Sequence, residues 1–135
     1  MTMKHSIICL IAIFLMTGCN LGTTGVTPLP TPDIPTLEII APANNQEVVE
    51  GFDFDFDIVA RDDNPGISLV ELYVDELLIN FSSPVDGEAV PVFRTTMNWL
   101  ASGAGLHIVE VIAYRPDGTQ GDPARLNIEV VPREE

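Results

Sequence analysis

Two short stretches hold most of the side chains able to do chemistry. GFDFDFDIVARDDNPG at 51–66 ends in Asp62, Asp63 and Asn64, and RPDGTQGDP at 115–123 carries Asp117 and Asp122. Carboxylate and amide oxygens are the ligands of hard cations such as calcium, which gathers several of them at about 2.3–2.6 Å. Asp53, Asp55 and Asp57 cannot form such a set alone, because alternate residues of a strand stand about 7 Å apart. Their row of outward charges instead discourages sheet stacking and aggregation. Aspartate and asparagine are equally the residues of turns, where they bond their own backbone. Asp62, Asp63, Asn64, Asp117 and Asp122 are therefore calcium candidates and turn formers alike, and Arg115 offers a further reading, in which it pairs with one of the acids and locks the loops without metal.

Nucleophiles and general bases are sparse. The single lysine, Lys4, and Cys9 both lie near the N-terminus, and His107 shares parity with Val109 and Val111, which puts it at the rim of a core. Ser68, Ser82, Ser83 and Ser102 lack a nucleophile-elbow context, and neither a glycine-rich phosphate loop nor a cysteine and histidine metal cluster is present in the sequence. A net charge of −14, with five arginines as the only basic side chains beyond Lys4, repels phosphate backbones and argues against nucleic acid as a partner.

The chain opens MTMKHSIICLIAIFLMTGCN. Its apolar run, Ile7 to Met16, is too short for a membrane span of about 20 residues and is followed by the small residues Thr17 and Gly18, so residues 1–18 read as a signal peptide. Leu15-Met16-Thr17-Gly18-Cys19 resembles a bacterial lipobox, with Met16 where leucine is usual. The resemblance implies a diacylglyceryl group on the Cys19 thiol, cleavage before Cys19, and acylation of the new amino group. The chain would then be extracytoplasmic, held to the bacterial cell membrane or outer membrane by its acyl chains. At about 0.8 kcal/mol per buried CH₂, two or three chains anchor stably where one does not. The alternative is an ordinary secretory peptide ending near a cysteine. With Cys9 lost, Cys19 has no partner, so no disulfide staples the domain. Residues 19–36, NLGTTGVTPLPTPDIPT after the cysteine, form a proline- and threonine-rich tether that reaches up to about 50 Å if fully extended.

Residues 37–132 read as strand after strand. Phe52, Phe54, Phe56 and Ile58 share one parity; Val70, Leu72 and Val74 another; Phe93, Met97 and Trp99, then Val109, Val111 and Ala113, then Leu126, Ile128 and Val130 follow. Period two marks half-buried strands, and turn signals at Asn64-Pro65-Gly66 and Pro116-Asp117-Gly118 separate them. About seven short antiparallel strands in one small domain describe an all-β sandwich.

APANNQEVVEG, FDIVARDDNPGISLVELYVD and MNWLASGAGLHIVEVIAYRPDG resemble the immunoglobulin-like domains of bacterial surface and secreted proteins. There a Pro-Ala-Asn-Gly-type turn follows the first strand, Ala-x-Asp ends the second, and a Gly-x-His strand precedes the last. Two departures stand out. Glu76 follows Asp75 where the family has glycine, so a longer loop is expected than a tight turn needing φ > 0. Arg115 stands where the family often has aspartate, which weakens any acidic site carried over from relatives. In the immunoglobulin topology the loops holding Asp62, Asp63 and Asn64 and holding Asp117 and Asp122 leave the same end of the sandwich. The same topology sets the third strand beside the sixth, bringing Leu69 and Tyr73 next to Ile108, Ile112 and Tyr114 on an outward face. That face is either a partner surface or is covered by the tether, the 80–91 connection or a crossing strand.

The leading reading is a non-enzymatic, lipid-anchored surface module that presents its immunoglobulin-like domain for protein or glycan contact, or serves as an accessory subunit of an envelope assembly. A second is a calcium- or ligand-binding module using the end loops, otherwise without cofactor. A third, a sugar-acting enzyme, requires a cleft that so small a sandwich rarely provides.

Overall fold

The computed structural model describes residue 29 and residues 31–134. The signal peptide, Cys19 and most of the tether lie outside the described residues. The compact unit that begins at Pro32 contains eight strands and, among the described residues, no helix: β1 (Thr36–Ala41), β2 (Gln46–Val49), β3 (Asp53–Arg61), β4 (Leu69–Val74), β5 (Leu77–Ser82), β6 (Val92–Leu100), β7 (Gly105–Tyr114) and β8 (Ala124–Val131). They form a sandwich of two sheets, β1-β3-β6 and β2-β8-β7-β4-β5. All pairings are antiparallel except β2 with β8. The chain changes sheets at the APANNQ turn, where Asn45 takes φ 63°, a left-handed conformation asparagine tolerates. The turn is fastened to β8, since Asn45 N donates to Asn127 O at 2.8 Å and Asn127 N donates to Asn44 Oδ1 at 2.7 Å.

The core follows the alternation. Phe56, Ile58, Met97 and Trp99 from one sheet and Val70, Leu72, Val109, Val111, Ile128 and Val130 from the other belong to a single buried cluster. Each such side chain contributes on the order of 1.5–3 kcal/mol on burial, and no cysteine lies beyond residue 19 to cross-link the sheets. Phe54 packs edge-on against Phe56, with ring centroids 5.4 Å apart. Phe52 departs from the expected stripe. It precedes β3 in the turn after Gly51, is 51% exposed, and lies under the Arg133 guanidinium at 4.8 Å. Parity reaches only as far as the pleat, and Phe52 lies before the pleat begins.

The hairpin after β4 also corrects the sequence reading. Val74 pairs with Leu77, so the loop is only Asp75-Glu76, and both residues have positive φ, 49° and 69°, as a tight hairpin of this kind requires. Tertiary bonds offset the strain that glycine would have avoided. Asp75 N donates to Ile108 O at 2.9 Å, and Asp75 Oδ1 accepts from Ile108 N at 2.9 Å. The short turn lets LLINFS return as β5, an eighth strand in addition to the seven expected. A register shift between Leu72 and Tyr73 leaves Ile79 unpaired in a bulge, and Asn80 bridges to β6 through Asn98 at 3.1 Å.

An L residue in the left-handed region costs about 1–2 kcal/mol and glycine's extra chain entropy about 0.5–1. Glu76→Gly is therefore expected to stabilise by about 0.5–1 kcal/mol in urea unfolding, whereas Asp75→Gly relieves the same strain yet lowers the midpoint by stranding its partners on β7. Equal upward shifts would show that the Asp75 side chain anchors nothing.

Candidate functional site

At one end of the sandwich, β3 stops and Asp62 turns inward, its side chain 4% exposed. Arg115, the first residue after β7, meets it with two bonds: Nε donates to Oδ2 at 2.9 Å and a terminal nitrogen donates to Oδ1 at 2.7 Å. Gly66 N adds a third donor to Oδ2 at 2.9 Å. Gly66 has φ 102°, and a side chain there would press on the Val90 backbone at 3.0 Å, so only glycine brings this amide into place. The same guanidinium reaches Asp33 Oδ1 at 3.0 Å. Arg115 first, and the Gly66 amide after it, hold the Asp62 carboxyl below the usual range against the opposing effect of burial. Paired and hydrogen-bonded in this way, a buried charge is satisfied without a cation.

Of the other end-loop candidates, Asp63 and Asn64 join Asp33 and Asp62 around a shallow hollow of about 420 Å³. Asp117 and Asp122 do not line it. The Asp117 carboxylate accepts from Thr119 N at 2.9 Å, which lowers its pKa, and Asp122 is exposed. Among the described residues no three acids, histidines or cysteines are grouped so as to hold a metal.

Toward the start of β7, His107 packs edge-on against Trp99 with centroids 5.3 Å apart. Its Nδ1 lies 2.6 Å from Asp75 Oδ2 and its Nε2 2.5 Å from Gly103 O. Both partners only accept, so both ring nitrogens carry protons in this arrangement. Burial opposes the charge, but the Gly103 carbonyl and the Asp75 carboxylate outweigh it, with a smaller contribution from Glu129, and the His107 pKa is raised. Of these residues, Asp75 also lines a hollow on the outer face of the five-stranded sheet. Asp75 and His107 lie 32 residues apart, and nothing in the sequence points to the pair.

The outer faces of the two sheets are chemically unequal. On β3, Asp53, Asp55 and Asp57 are exposed, and Asp57 accepts from Thr96 on β6 at 2.7 Å. On the five-stranded sheet the cross-strand pairs Leu69 with Tyr114 and Glu71 with Ile112 bring together the residues expected from the topology. Tyr73 lies opposite Glu110, and Ile108 opposite Asn127. On this face Leu106 is 60% exposed and Ile108 53%, and it continues onto a residue the sequence does not point to, Phe81 on β5, at 66%. Phe81 escaped notice because β5 was read as part of a connection. Among the described residues, neither the 80–91 segment nor a crossing strand hides Leu106 or Ile108. A hollow of about 660 Å³ opens on it, between Tyr73, Ile108 and Ile112 on the floor and Asp75, Glu76, Glu110 and Arg125 around it. Tyr73 donates its hydroxyl proton to Glu71 at 2.7 Å, which raises its pKa. Burial and then Glu71 raise that of Tyr114.

Residues 35–111 match a family model described as a bacterial Ig domain. No curated protein matches the chain. Among solved structures, fibronectin(III)-like modules of CbhA from Clostridium thermocellum superpose with a TM-score of 0.62 at 24% identity, over 73% of this chain and 100% of the module. The CARDB domain of a Pyrococcus furiosus protein, solved in complex with di-metal ions, gives 0.51 at 13% identity over 72% of this chain and 87% of that one. The SrpA adhesin of Streptococcus sanguinis also gives 0.51, at 12% identity over 77% and 61%. At these identities the likeness is one of fold.

The two ionic contacts titrate in opposite senses. The raised pKa of His107 means that its contribution is complete below the ordinary value of 6.5 and is lost as pH rises through the folded value. The lowered pKa of Asp62 means that its contribution is present above the ordinary 3.8 and is lost as pH falls through the folded value. Melting temperature should thus decline on both sides of a plateau. His107→Gln is expected to flatten the alkaline limb and spare the acid one; an unchanged alkaline limb would assign it to another group. Arg115→Met, which strands the Asp62 carboxylate, is expected to lower Tm at neutral pH by on the order of 10 °C, and Asp62→Asn added to it should recover part of the loss.

Proposed function

The chain belongs to the bacterial Ig domain family, and from that membership we propose that it is a non-enzymatic, lipid-anchored module that presents its sandwich for contact with a surface protein or glycan, or as an accessory subunit of an envelope assembly. Domains of this family are usually extracellular or surface exposed, and immunoglobulin-like and fibronectin-like domains are typically non-catalytic. The lipobox-like run ending at Cys19 supports attachment to the membrane through acyl chains.

The observation that carries the contact role is the unequal pair of outer faces. The three-stranded sheet also exposes Ile40, Val92 and Leu100, but among the aspartates of β3, whereas Leu106, Ile108, Phe81, Ile112 and Tyr73 share a face of the other sheet with a hollow of about 660 Å³. Exposed apolar side chains gathered on one face mark interaction sites; here Leu106 and Ile108 follow one another along β7, and Phe81 stands in the row of Glu71 and Ile112. A cation-binding role at the end loops has less support, since the charge of Asp62 is already met by Arg115.

Two measurements test the reading. Cys19→Ser is expected to move the chain from the membrane fraction to the soluble one and to abolish the acyl mass on the mature N-terminal peptide; undiminished membrane association would remove the anchor. A photo-crosslinking residue placed at Ile108 in cells is expected to give discrete adducts that the same residue at Asp55 does not. Identical patterns would remove the contact surface.

A further inference from the structure

The contact face of the five-stranded sheet has a charge as well as a greasy centre. Glu71, Glu110 and Glu129 stand on it, and Asp75 and Glu76 rise beside it at the hairpin. Its basic side chain, Arg125, is already bound to Glu110, with Nε 2.5 Å from Oε2. We propose that this face binds a segment of a partner protein that presents apolar side chains interspersed with lysine or arginine. The apolar ones would lie on Leu106, Ile108 and Phe81, and a basic one would enter the hollow beneath the hairpin. The proposal rests on the contact-module reading and specifies the chemistry of the partner.

The hollow suits a basic side chain in both its parts. Lysine and arginine lay their methylene stems along apolar surface while the charged head seeks carboxylates or water. Ile108 and Ile112 supply the apolar floor and Glu76 a carboxylate at the rim, while Glu110 is already held by Arg125 at the other side of the hollow. Complementary charge at the rim favours encounter with a basic partner and suppresses wrong ones.

Other occupants fit less well. A second copy stacked on the same face would set these acids against their own like, in a chain whose net charge is −14. Edge-to-edge pairing through β5 is hindered by the bulge at Ile79 and by Asn80, whose Oδ1 takes the Phe81 amide at 2.8 Å while its Nδ2 reaches across to β6. Bulges and bridged edges of this kind prevent strand addition. A neutral glycan would find the Tyr73 hydroxyl already bound to Glu71 and mainly aliphatic floor elsewhere.

The test uses the full chain, ¹⁵N-labelled in detergent micelles, titrated with a short peptide of alternating lysine and leucine and with versions carrying serine for leucine, serine for lysine, or glutamate for lysine. A neutral oligosaccharide serves as a further probe. The lysine–leucine peptide is expected to bind at least about tenfold tighter than any other, to weaken with added salt, and to shift amides of β4 and β7. Ile108→Lys in the protein is expected to weaken it about tenfold or more. Phe81→Lys, on a different strand, repeats the measurement should Ile108→Lys lower the melting temperature. Equal binding of the serine-for-leucine peptide, amide shifts centred on 62–66, or affinity unchanged in both variants would overturn the proposal. So would binding of the oligosaccharide in place of the peptides. If all peptides fail while crosslinks at Ile108 persist, the partner chemistry is wrong and the contact module stands; if those crosslinks are absent too, both fall.

Discussion

The structure depends on burial of every second side chain between two sheets that no covalent bond joins. With no cysteine beyond residue 19, Phe56, Ile58, Leu72, Met97, Val111 and Ile128 must supply the stability that a cross-link would otherwise share. Period two then divides the labour along each strand. Inward residues are committed to the core, and outward residues are released from it, so the outside of each sheet can be set by something other than folding. That freedom is what allows one outer face to be a row of aspartates on β3 and the other to expose Leu106 and Ile108 on β7.

Polar chemistry enters at the two ends of β7. After its last residue, Arg115 joins Asp62 and Asp33, tying the β3 exit to the segment that leads into β1. Near its first residues, His107 joins Asp75 and Gly103, tying the β4–β5 hairpin to the loop before β7. Both contacts draw on the acidic excess of the chain: two carboxylates hold Arg115, and the Asp75 carboxylate with the Gly103 carbonyl holds His107. The first is shielded and bidentate, the geometry in which arginine outperforms lysine. The second depends on a titrating ring, so the ends of the same strand respond to pH in opposite directions.

The placing of function follows from the same division. Aspartates at loop ends suggest a metal, but a loop acid can be satisfied by turn amides and a guanidinium, and Asp62 and Asp117 are met in those ways. The face of the five-stranded sheet is different, because its apolar side chains have no partner within the sandwich. Its hollow beneath the hairpin owes its wall to Asp75, the residue whose carboxylate also fastens His107. The proposed contact face and one of the structural anchors are thereby built on the same turn.

Much of this was legible in the sequence. The alternation of Val109, Val111 and Ala113 against Ile108, Ile112 and Tyr114 told inside from outside, because a strand's two faces are decided by parity, which is local. The run ending at Cys19 carried its expectation for the same reason, as a contiguous pattern. Tertiary structure alone decided which acid would meet Arg115, that Asp75 and Glu76 would turn in two residues, and that LLINFS would come back as β5 and widen the outer face with Phe81. Each of those outcomes joins residues that only folding brings together, Asp62 with Arg115 across 53 positions and Asp75 with His107 across 32. The energy of such a contact belongs to the pair, so neither neighbourhood along the chain records it.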